Sequence, residues 1–392
     1  MIGVNHQNMN ETNKYVLLKS IVTQAPISRA ELSQITGLNK MTVTGLVNEY
    51  IEKGIVGECG EANSTGGRKR VFLDVLPDSL LTLGIYIGRD ILKVGIINLK
   101  GQILQSESLD LSFMENNDVF IKSLFMLCDH LLETKYKEGI WGIGVSCAGP
   151  LLAKDGVILN PPDFNNIRDL PIVERLTERY KLPAYLQNDM CVAALAEVYF
   201  GNKQQYNNFI YVGISGGIGG GVIIDKKLYT GSSGLAGIIG HSIVEMDGIQ
   251  CECGQCGCLE KYSSTRAAVR WAKNNGASKE LTWMELLDKA TKGDEICTKA
   301  IERMMNYLAV AIINMESAYD TECFVIGGDL HFCQDIAIHH IQEKLQKRAF
   351  SWGKITEVKV EPSSFMGSAS FIGTVLKWSL QVLWAVHHLS VQ

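Results

Sequence analysis

Ser28-Arg29-Ala30-Glu31-Leu32-Ser33-Gln34-Ile35-Thr36-Gly37-Leu38-Asn39-Lys40-Met41-Thr42-Val43 packs two helix starts and one helix stop into a short stretch. Ser28 to Glu31 has the form of a capping box, in which the serine oxygen serves the first amides while the glutamate reaches back. The helix it opens buries Leu32 and Ile35 and stops at Thr36-Gly37. Another begins around Asn39, with Val43, Leu46, Val47 and Tyr50 at i, i+3, i+4 and i+7, the spacing of a packed helical face. Upstream, Tyr15, Leu18 and Val22 make Lys14–Val22 helical. Downstream, after Gly54, Ile55–Glu58 and Val71–Val75 read as strands bracketing the basic tip Thr65-Gly66-Gly67-Arg68-Lys69-Arg70. Three helices, a tight glycine turn between the second and third, and a basic hairpin make a winged helix-turn-helix pattern.

Such a unit offers its third helix and its wing to DNA. Arg29, Asn39, Lys40, Thr42, Thr44 and Asn48 lie off the apolar stripe or at its margin, where side chains reach base edges and phosphates. Ser28 at the cap joins them. Gly67, Arg68, Lys69 and Arg70 at the wing tip suit phosphates or a minor groove. Three adjacent bases are more often a solvated loop, and it is their place beside a helix-turn-helix that favours DNA.

The charge of the whole chain points the other way. Over 392 residues the formal net charge is −5, the wrong sign for a protein that coats nucleic acid or anionic membrane. The balance is uneven, however. Met1–Phe72 holds eight Lys/Arg and six Asp/Glu, so this segment is +2 and the rest carries the acidic excess. A hydrophobic content of 46% with 20% charged residues excludes a disordered, collagenous or coiled-coil chain. No apolar run approaches the ~18 residues needed to span a bilayer, and Met1–Asn13 is polar without the apolar core of a secretory signal, so the expected location is cytoplasmic.

Pro77-Asp78 breaks the chain, and beyond it the periods change. Leu83–Ile87, Ile91–Asn98 and Gln102–Ser108 read as a strand meander. A helix follows, with Ile121, Leu124, Phe125, Cys128 and Leu131 on one face, then the strands Ile140–Val145 and Ala184–Gln187. The order then recurs. Phe209–Ser215 and Gly220–Asp225 pair around a glycine-rich turn, helices fill Tyr262 to Tyr319, and Cys323–Ile326 ends in Gly327-Gly328. Two βββαβα-like halves predict an α/β fold built by duplication, with a cleft between lobes. Met366–Leu389 reads as a helix packing back on the first lobe.

The strongest chemical signal is His241-x9-Cys251-x-Cys253-x4-Cys258, with Gly248, Gly254 and Gly257 between the ligands. Three thiolates and an imidazole satisfy tetrahedral zinc, and four protein ligands leave no open position, so the metal is expected to be structural. Cys256 is a further thiol in the same knuckle, so the third cysteine rests on spacing. Ser215-Gly216-Gly217-Ile218-Gly219-Gly220-Gly221 is either an anion cradle or a tight hairpin needing close backbone approach. Asn188-Asp189 follows a strand, where the pair either binds a sugar hydroxyl, with Asp189 placed as a base, or caps the next helix.

Taken together, these residues resemble the ROK family of repressors, open reading frames and sugar kinases along almost the whole chain. The resemblance is carried by Pro26–Leu32, by Thr36-Gly37-Leu38-Asn39-Lys40-x-Thr42-Val43 and by Gly66-Gly67-Arg68 in the first region. In the second it is carried by Asn188-Asp189, Ala236-Gly237-x-x-Gly240-His241 and Cys251-x-Cys253-x4-Cys258-Leu259-Glu260. Within the family, Leu38-Asn39-Lys40 and the layout look most similar to the xylose repressors. The resemblance implies a winged helix-turn-helix at 1–78 and a two-lobed, actin-like or hexokinase-like (ribonuclease H-like, duplicated) domain at 79–392. Lobe one is expected at about 79–193 with a C-terminal helix at about 378–392, and lobe two at about 194–377. It further implies that Asn188, Asp189, His241 and Glu260 line a sugar pocket, joined by Asn160 of Asn160-Pro161-Pro162, with one His241 nitrogen for zinc and the other for sugar.

Two departures separate sensing from catalysis. Family kinases open this domain with Asp-x-Gly-x-Thr, whereas here the stretch reads Tyr86-Ile87-Gly88-Arg89-Asp90, and Ser215-Gly216-Gly217 stands for Gly-Thr-Gly. Phosphoryl transfer rests on positioning and charge neutralisation, so a phenol for an aspartate and a carboxylate for a hydroxyl disable it. Asp189 is then a vestigial base that still grips a hydroxyl. Ile238 replaces a glutamate that bonds sugar hydroxyls, so the effector lacks that hydroxyl, is not a free sugar, or the pocket is retired. The expected protein is not an enzyme. It is a dimeric (or dimer-of-dimers) repressor of a carbohydrate operon, xylose being one candidate sugar, with operator DNA and a sugar effector as partners. The alternatives are an active sugar kinase with a DNA-binding appendage and a repressor controlled by a protein partner.

Overall fold

The computed structural model describes residues 6–62, 70–111, 116–161, 167–347 and 358–376. They fall into two compact units, one from Met1–Gln187 with Phe371–Gln392 and one of Asn188–Ser370.

The first unit opens with α1 (His6–Gln24), β1 (Ile27–Ser28), α2 (Arg29–Thr36), α3 (Lys40–Glu52), β2 (Val56–Ala62) and β3 (Arg70–Val75). Both reciprocal bonds of the Ser28–Glu31 capping box are made. Gly37 ends α2 in the left-handed region at φ 71°, its amide donating to the Ser33 carbonyl, a conformation that costs glycine nothing. Asn39 then caps α3, accepting from the Thr42 amide. The helices close over Leu17, Ile21, Leu32, Val43 and Val47, and β1, β3 and β2 form the small sheet of the wing. The wing's tip residues Gly67, Arg68 and Lys69 lie outside the described residues, while Arg70 opens β3 opposite Ala62.

A 3-10 turn at Pro77–Ser79 leads to β4 (Leu81–Ile87), β5 (Ile91–Ile97) and β6 (Ile103–Asp110). The turn between β5 and β6 is shared with the three-helix head. Leu99 is 2% exposed and belongs to the head's core. Asn98, fully buried, donates to Asp78 and Gln102 and accepts from the amides of Lys100 and Gln102, and Lys100 pairs with Asp74. This is why the head falls in one unit with the first sheet instead of separating at residue 78. Next come α4 (Asn117–Leu132), β7 (Ile140–Cys147), β8 (Leu151–Leu152), β9 (Val157–Ile158), α5 (Ile172–Tyr180) and β10 (Ala184–Asn188). On α4, Phe120 and Leu127 are buried with Leu124, Cys128 and Leu131, whereas Ile121 and Phe125 sit at the margin of that face.

The second unit holds α6 (Asp189–Tyr199), β11 (Phe209–Ile214), β12 (Ile218–Ile224), β13 (Lys227–Tyr229), α7 (Glu260–Ser263), α8 (Thr265–Asn274), α9 (Trp283–Thr291), α10 (Glu295–Tyr319), β14 (Cys323–Gly328), α11 (Gln334–Gln346) and β15 (Lys359–Pro362). Its sheet runs β13-β12-β11-β14-β15, and the first runs β10-β7-β4-β5-β6. Both have an antiparallel meander whose first strand pairs in parallel with the next strand to arrive, β4 with β7 and β11 with β14. The duplication is therefore real at the level of strand order.

The units divide at Gln187/Asn188 and Ser370/Phe371, a little before the lobe boundaries expected at about 193/194 and about 377/378. The reason is packing. Helix α6 lies on β12, where a methyl at Gly221 would fall 2.4 Å from the Met190 carbonyl oxygen. The returning chain, from α12 (Ala369–Ile372) to Leu376, lies on the first sheet, where a methyl at Gly144 would fall 2.0 Å from the Thr374 carbonyl oxygen. The expected helix at about 378–392 lies outside the described residues. Among the described residues no helix is long and apolar enough to cross a membrane.

Candidate functional site

Helix α3 turns Val43, Leu46, Val47 and Tyr50 inward, which leaves Lys40, Thr44 and Asn48 exposed. Asn39 is exposed too, but its Oδ1 is taken by the Thr42 amide at 2.8 Å. Thr42 is half-buried. Ser28 departs from the expectation that it contacts DNA: it is buried, and its hydroxyl is committed to Glu31 in the capping box. Its contribution is to aim α2. Arg29 reaches across α3, donating to Asn48 Oδ1 at 3.4 Å and pairing with Glu58 of β2 at 3.3 Å.

In the second unit the knuckle between β13 and α7 brings the predicted ligands together. One ligand atom from each of His241, Cys251, Cys253 and Cys258 lies within 4.8 Å of all the others. Cys253 and Cys258 sulfurs are 3.5 Å apart, and His241 Nδ1 is 3.6 Å from the Cys251 sulfur. With Zn–S bonds of about 2.3 Å, such separations suit the edges of a tetrahedron, so the cluster can hold a metal ion. Burial, with the neighbouring thiols, pushes Cys258 up to about 12, and burial also raises Cys251, so loading the site must release protons. Cys256 stands apart, exposed and bonded to Gln250, which resolves the fourth thiol of the knuckle. Gly257 is required by close approach and by its φ of 78°: a methyl there would fall 1.7 Å from the Glu245 carbonyl oxygen.

Of the residues expected at a sugar, those of the Asp189, His241 and Glu260 segments meet at one end of β12. Asn188 caps α6 through Oδ1, so the capping role holds for it, and Asp189 beside it is nearly buried. Met190, the next residue, lies against Gly219. Gly240, beside His241, abuts the Ile218 carbonyl, and Glu260 Oε2 accepts from the Ile218 amide at 2.9 Å. Ile218–Gly219 therefore gathers the Asp189, His241 and Glu260 segments. His241 presents Nδ1 to the thiols, which turns Nε2 away from them. Asn160 is exposed and belongs to the first unit. Ile238, where the family pattern has glutamate, is 47% exposed.

At each of the two glycine turns a side chain lies over the glycine. In the first, the Tyr86 ring lies over Gly88, its hydroxyl 3.0 Å from where a methyl on that glycine would sit. In the second, Arg266 lies over Gly216 with Nε 2.9 Å from the equivalent point, and the Thr265 amide donates to the Ser215 carbonyl. The glycines beyond the turn, Gly219 to Gly221, sit inside β12 and serve close packing. Arg266 was not legible from sequence, because only the fold brings the start of α8 onto this loop.

The chain matches the model of the ROK family over residues 82–380. It is 30% identical to the xylose repressor of Bacillus subtilis (strain 168) over 346 residues, covering 88% of each chain. Its fold is similar to that of a ROK family transcriptional regulator, a homolog of the E. coli MLC protein, with a TM-score of 0.80 and 23% identity over 96% of this chain and 97% of that one. It is also similar to a ROK family glucokinase from Streptomyces griseus in complex with glucose and AMPPNP, with a TM-score of 0.67 and 24% identity over 75% of this chain and 97% of that one. With a match of this extent and two sheets of one topology, the chain belongs to the ROK family.

Proposed function

We propose that this protein is a DNA-binding transcriptional repressor of a carbohydrate-utilisation operon, released or engaged by a sugar, and that it is not a sugar kinase. The observation that carries the reading is the head: a capped recognition helix with its polar face outward, on a chain similar over 88% of its length to a xylose repressor. Residues 1–78 are the operator-binding domain and 79–392 the effector domain. Arg29, Lys40, Thr44 and Asn48 supply contacts from the helices, and Gly67, Arg68, Lys69 and Arg70 from the wing. Two copies would place recognition helices about 34–36 Å apart in successive major grooves.

In the effector domain zinc is the metal this donor set favours, held by His241, Cys251, Cys253 and Cys258. A bound ion would fix the His241 tautomer, leaving Nε2 to meet a sugar hydroxyl beside Asn188, Asp189 and Glu260. Xylose is the first sugar to test. Tyr86 and Asp90, where family kinases carry aspartate and threonine, support sensing over phosphoryl transfer, which needs positioned phosphates and metal.

The test is a pair of measurements on the full chain. Fluorescence anisotropy with promoter fragments near its own gene should show saturable binding that weakens steeply with salt. A sugar panel should raise the melting temperature with at least one member. Failure to bind every fragment, or ADP release from ATP with any of the sugars, overturns the reading.

A further inference from the structure

Helix α3 carries an uncharged outer stripe. Met41, Thr44, Gly45 and Asn48 stand at i, i+3, i+4 and i+7, all exposed, directly opposite the buried face. Met41 is 87% exposed, the highest value among the exposed large hydrophobic side chains. It contributes nothing to the head's core. Thr44 turns its hydroxyl back to the Lys40 carbonyl at 2.8 Å, so the face it offers outward is its methyl. At Gly45 a methyl would meet nothing within 4 Å, so the glycine keeps this part of the stripe low for reasons other than packing inside the protein. Arg29 holds Asn48 Oδ1, which turns the amide donor outward.

The charge around this stripe identifies what covers it. The first turn of α3 contains no acid and begins with the exposed Lys40, although a helix N-terminus ordinarily favours carboxylates. Of the nearby acids, Glu49 pairs with Lys14 and Lys53 and Glu58 with Arg29, while the exposed Glu52 closes the far, C-terminal end of the helix. An apolar, low stripe flanked by cations and a positive helix end fits a surface whose edges are anionic and whose floor has apolar points. The major groove of B-form DNA is such a surface, and its apolar points are the thymine C5-methyl groups.

We propose that Met41 is a specificity-determining residue that packs its thioether against a thymine methyl in each half-site, with the Thr44 methyl beside it and Gly45 admitting the base edge. This rests on the repressor reading above and names what that reading does not: the base under the start of α3 is thymine, chosen by its methyl.

The experiment removes that methyl alone. The full chain selects a duplex from a randomised pool, and each thymine of the selected sequence is replaced in turn by deoxyuridine. Wild-type protein should lose about three- to five-fold in affinity at one position per half-site, the worth of one buried methyl. Met41→Ala, which folds because the side chain touches no core, should bind the thymine duplex about as weakly and be indifferent to uracil there. Lys40→Ala should instead weaken all sequences alike and lower the salt slope by about one. Equal uracil penalties in wild type and Met41→Ala, or no penalty at any position, overturn the proposal while the Lys40→Ala loss keeps the repressor reading standing. Absence of binding to any duplex at low salt overturns both.

Discussion

The two sheets share one strand order, yet their first hairpins have met different ends. In the first half β4 turns into β5 beneath the Tyr86 ring. In the second, β11 turns into β12 beneath Arg266, and a His/Cys knuckle that could hold a metal is inserted between β13 and α7. Strand order is held by backbone hydrogen bonds and by close approach of a helix to glycine, neither of which depends on what the loops carry. Loop chemistry is free of that constraint, so one duplicated scaffold can carry different loops on its two halves. The halves differ in what their loops do while agreeing in how their sheets are built.

The largest expected effect breaks this contrast at the knuckle. Cys258→Ser, or exhaustive chelation, should remove one zinc per chain and destabilise the second unit. The loss is about 4 kcal/mol where free zinc stands a thousandfold above its Kd. Metal analysis and hydrogen exchange read the two parts separately, and exchange in β4, β5 and β7 should not change. Wild-type protein without stoichiometric zinc would show that thiols alone shape the knuckle.

A smaller effect tests whether the second half needs charge at its edge. Glu361 on β15 accepts from Lys203 at 2.7 Å and from the Tyr206 hydroxyl, and Lys203 is 2% exposed. Burial pulls the Glu361 pKa up, but the bonds from Lys203 and Tyr206 outweigh it and hold the carboxyl below its ordinary value. A depressed folded pKa stabilises above the unfolded value of 4.5, and that stabilisation is lost as pH falls through the folded value. Glu361→Gln should lose about 2–3 kcal/mol at pH 7 by leaving a buried ammonium poorly paired, and should shrink the acid sensitivity of the second unit. Urea melts at pH 7 and pH 3 check both. An unchanged acid limb would mean that other carboxylates set it.

How much of this was legible in the chain follows from the range of each interaction. Ser28–Glu31, Gly37 and Asn39 act within one turn, so the head's helices could be read residue by residue. The ligand spacing from His241 to Cys258 is also local, and the structure adds only that Cys256 is excluded. The point where the chain changes sheets, at Asn188 and Phe371, is decided by the distant partners Gly221 and Gly144, so the lobe boundaries are legible in the sequence only roughly. Ser28 and Met41 show the same limit. The capping box is legible at Ser28, but that it buries the residue and withdraws it from DNA depends on packing, and Met41 on the outer face carries no signal without its exposure.

The smallest effect sharpens the comparison, because it asks whether the agreement between the halves is functional or merely formal. Gly144→Ala and Gly221→Ala place a methyl against a carbonyl oxygen of the helix segment covering each sheet, at 2.0 and 2.4 Å. Backbone cannot move aside as a side chain can, so each substitution should cost about 1–3 kcal/mol, the ordinary range for overpacking. The location of the damage matters more than its size. Gly144→Ala should raise exchange in β4 and β7 with the first unit, and Gly221→Ala in β11 and β12 with the second, because each glycine admits a segment belonging to its own unit. Gly221 has a second obstacle in the Ala194 side chain at 2.5 Å, while the three atoms nearest a methyl at Gly144 all belong to Thr374, its carbonyl and its Cβ. Relief should therefore differ. Thr374→Gly should leave the Gly144→Ala defect standing, since the carbonyl remains, and Ala194→Gly should recover part of the Gly221→Ala loss. Recovery of Gly144→Ala by Thr374→Gly would mean that the first sheet is held by a side chain, and that the two halves keep their order by different means.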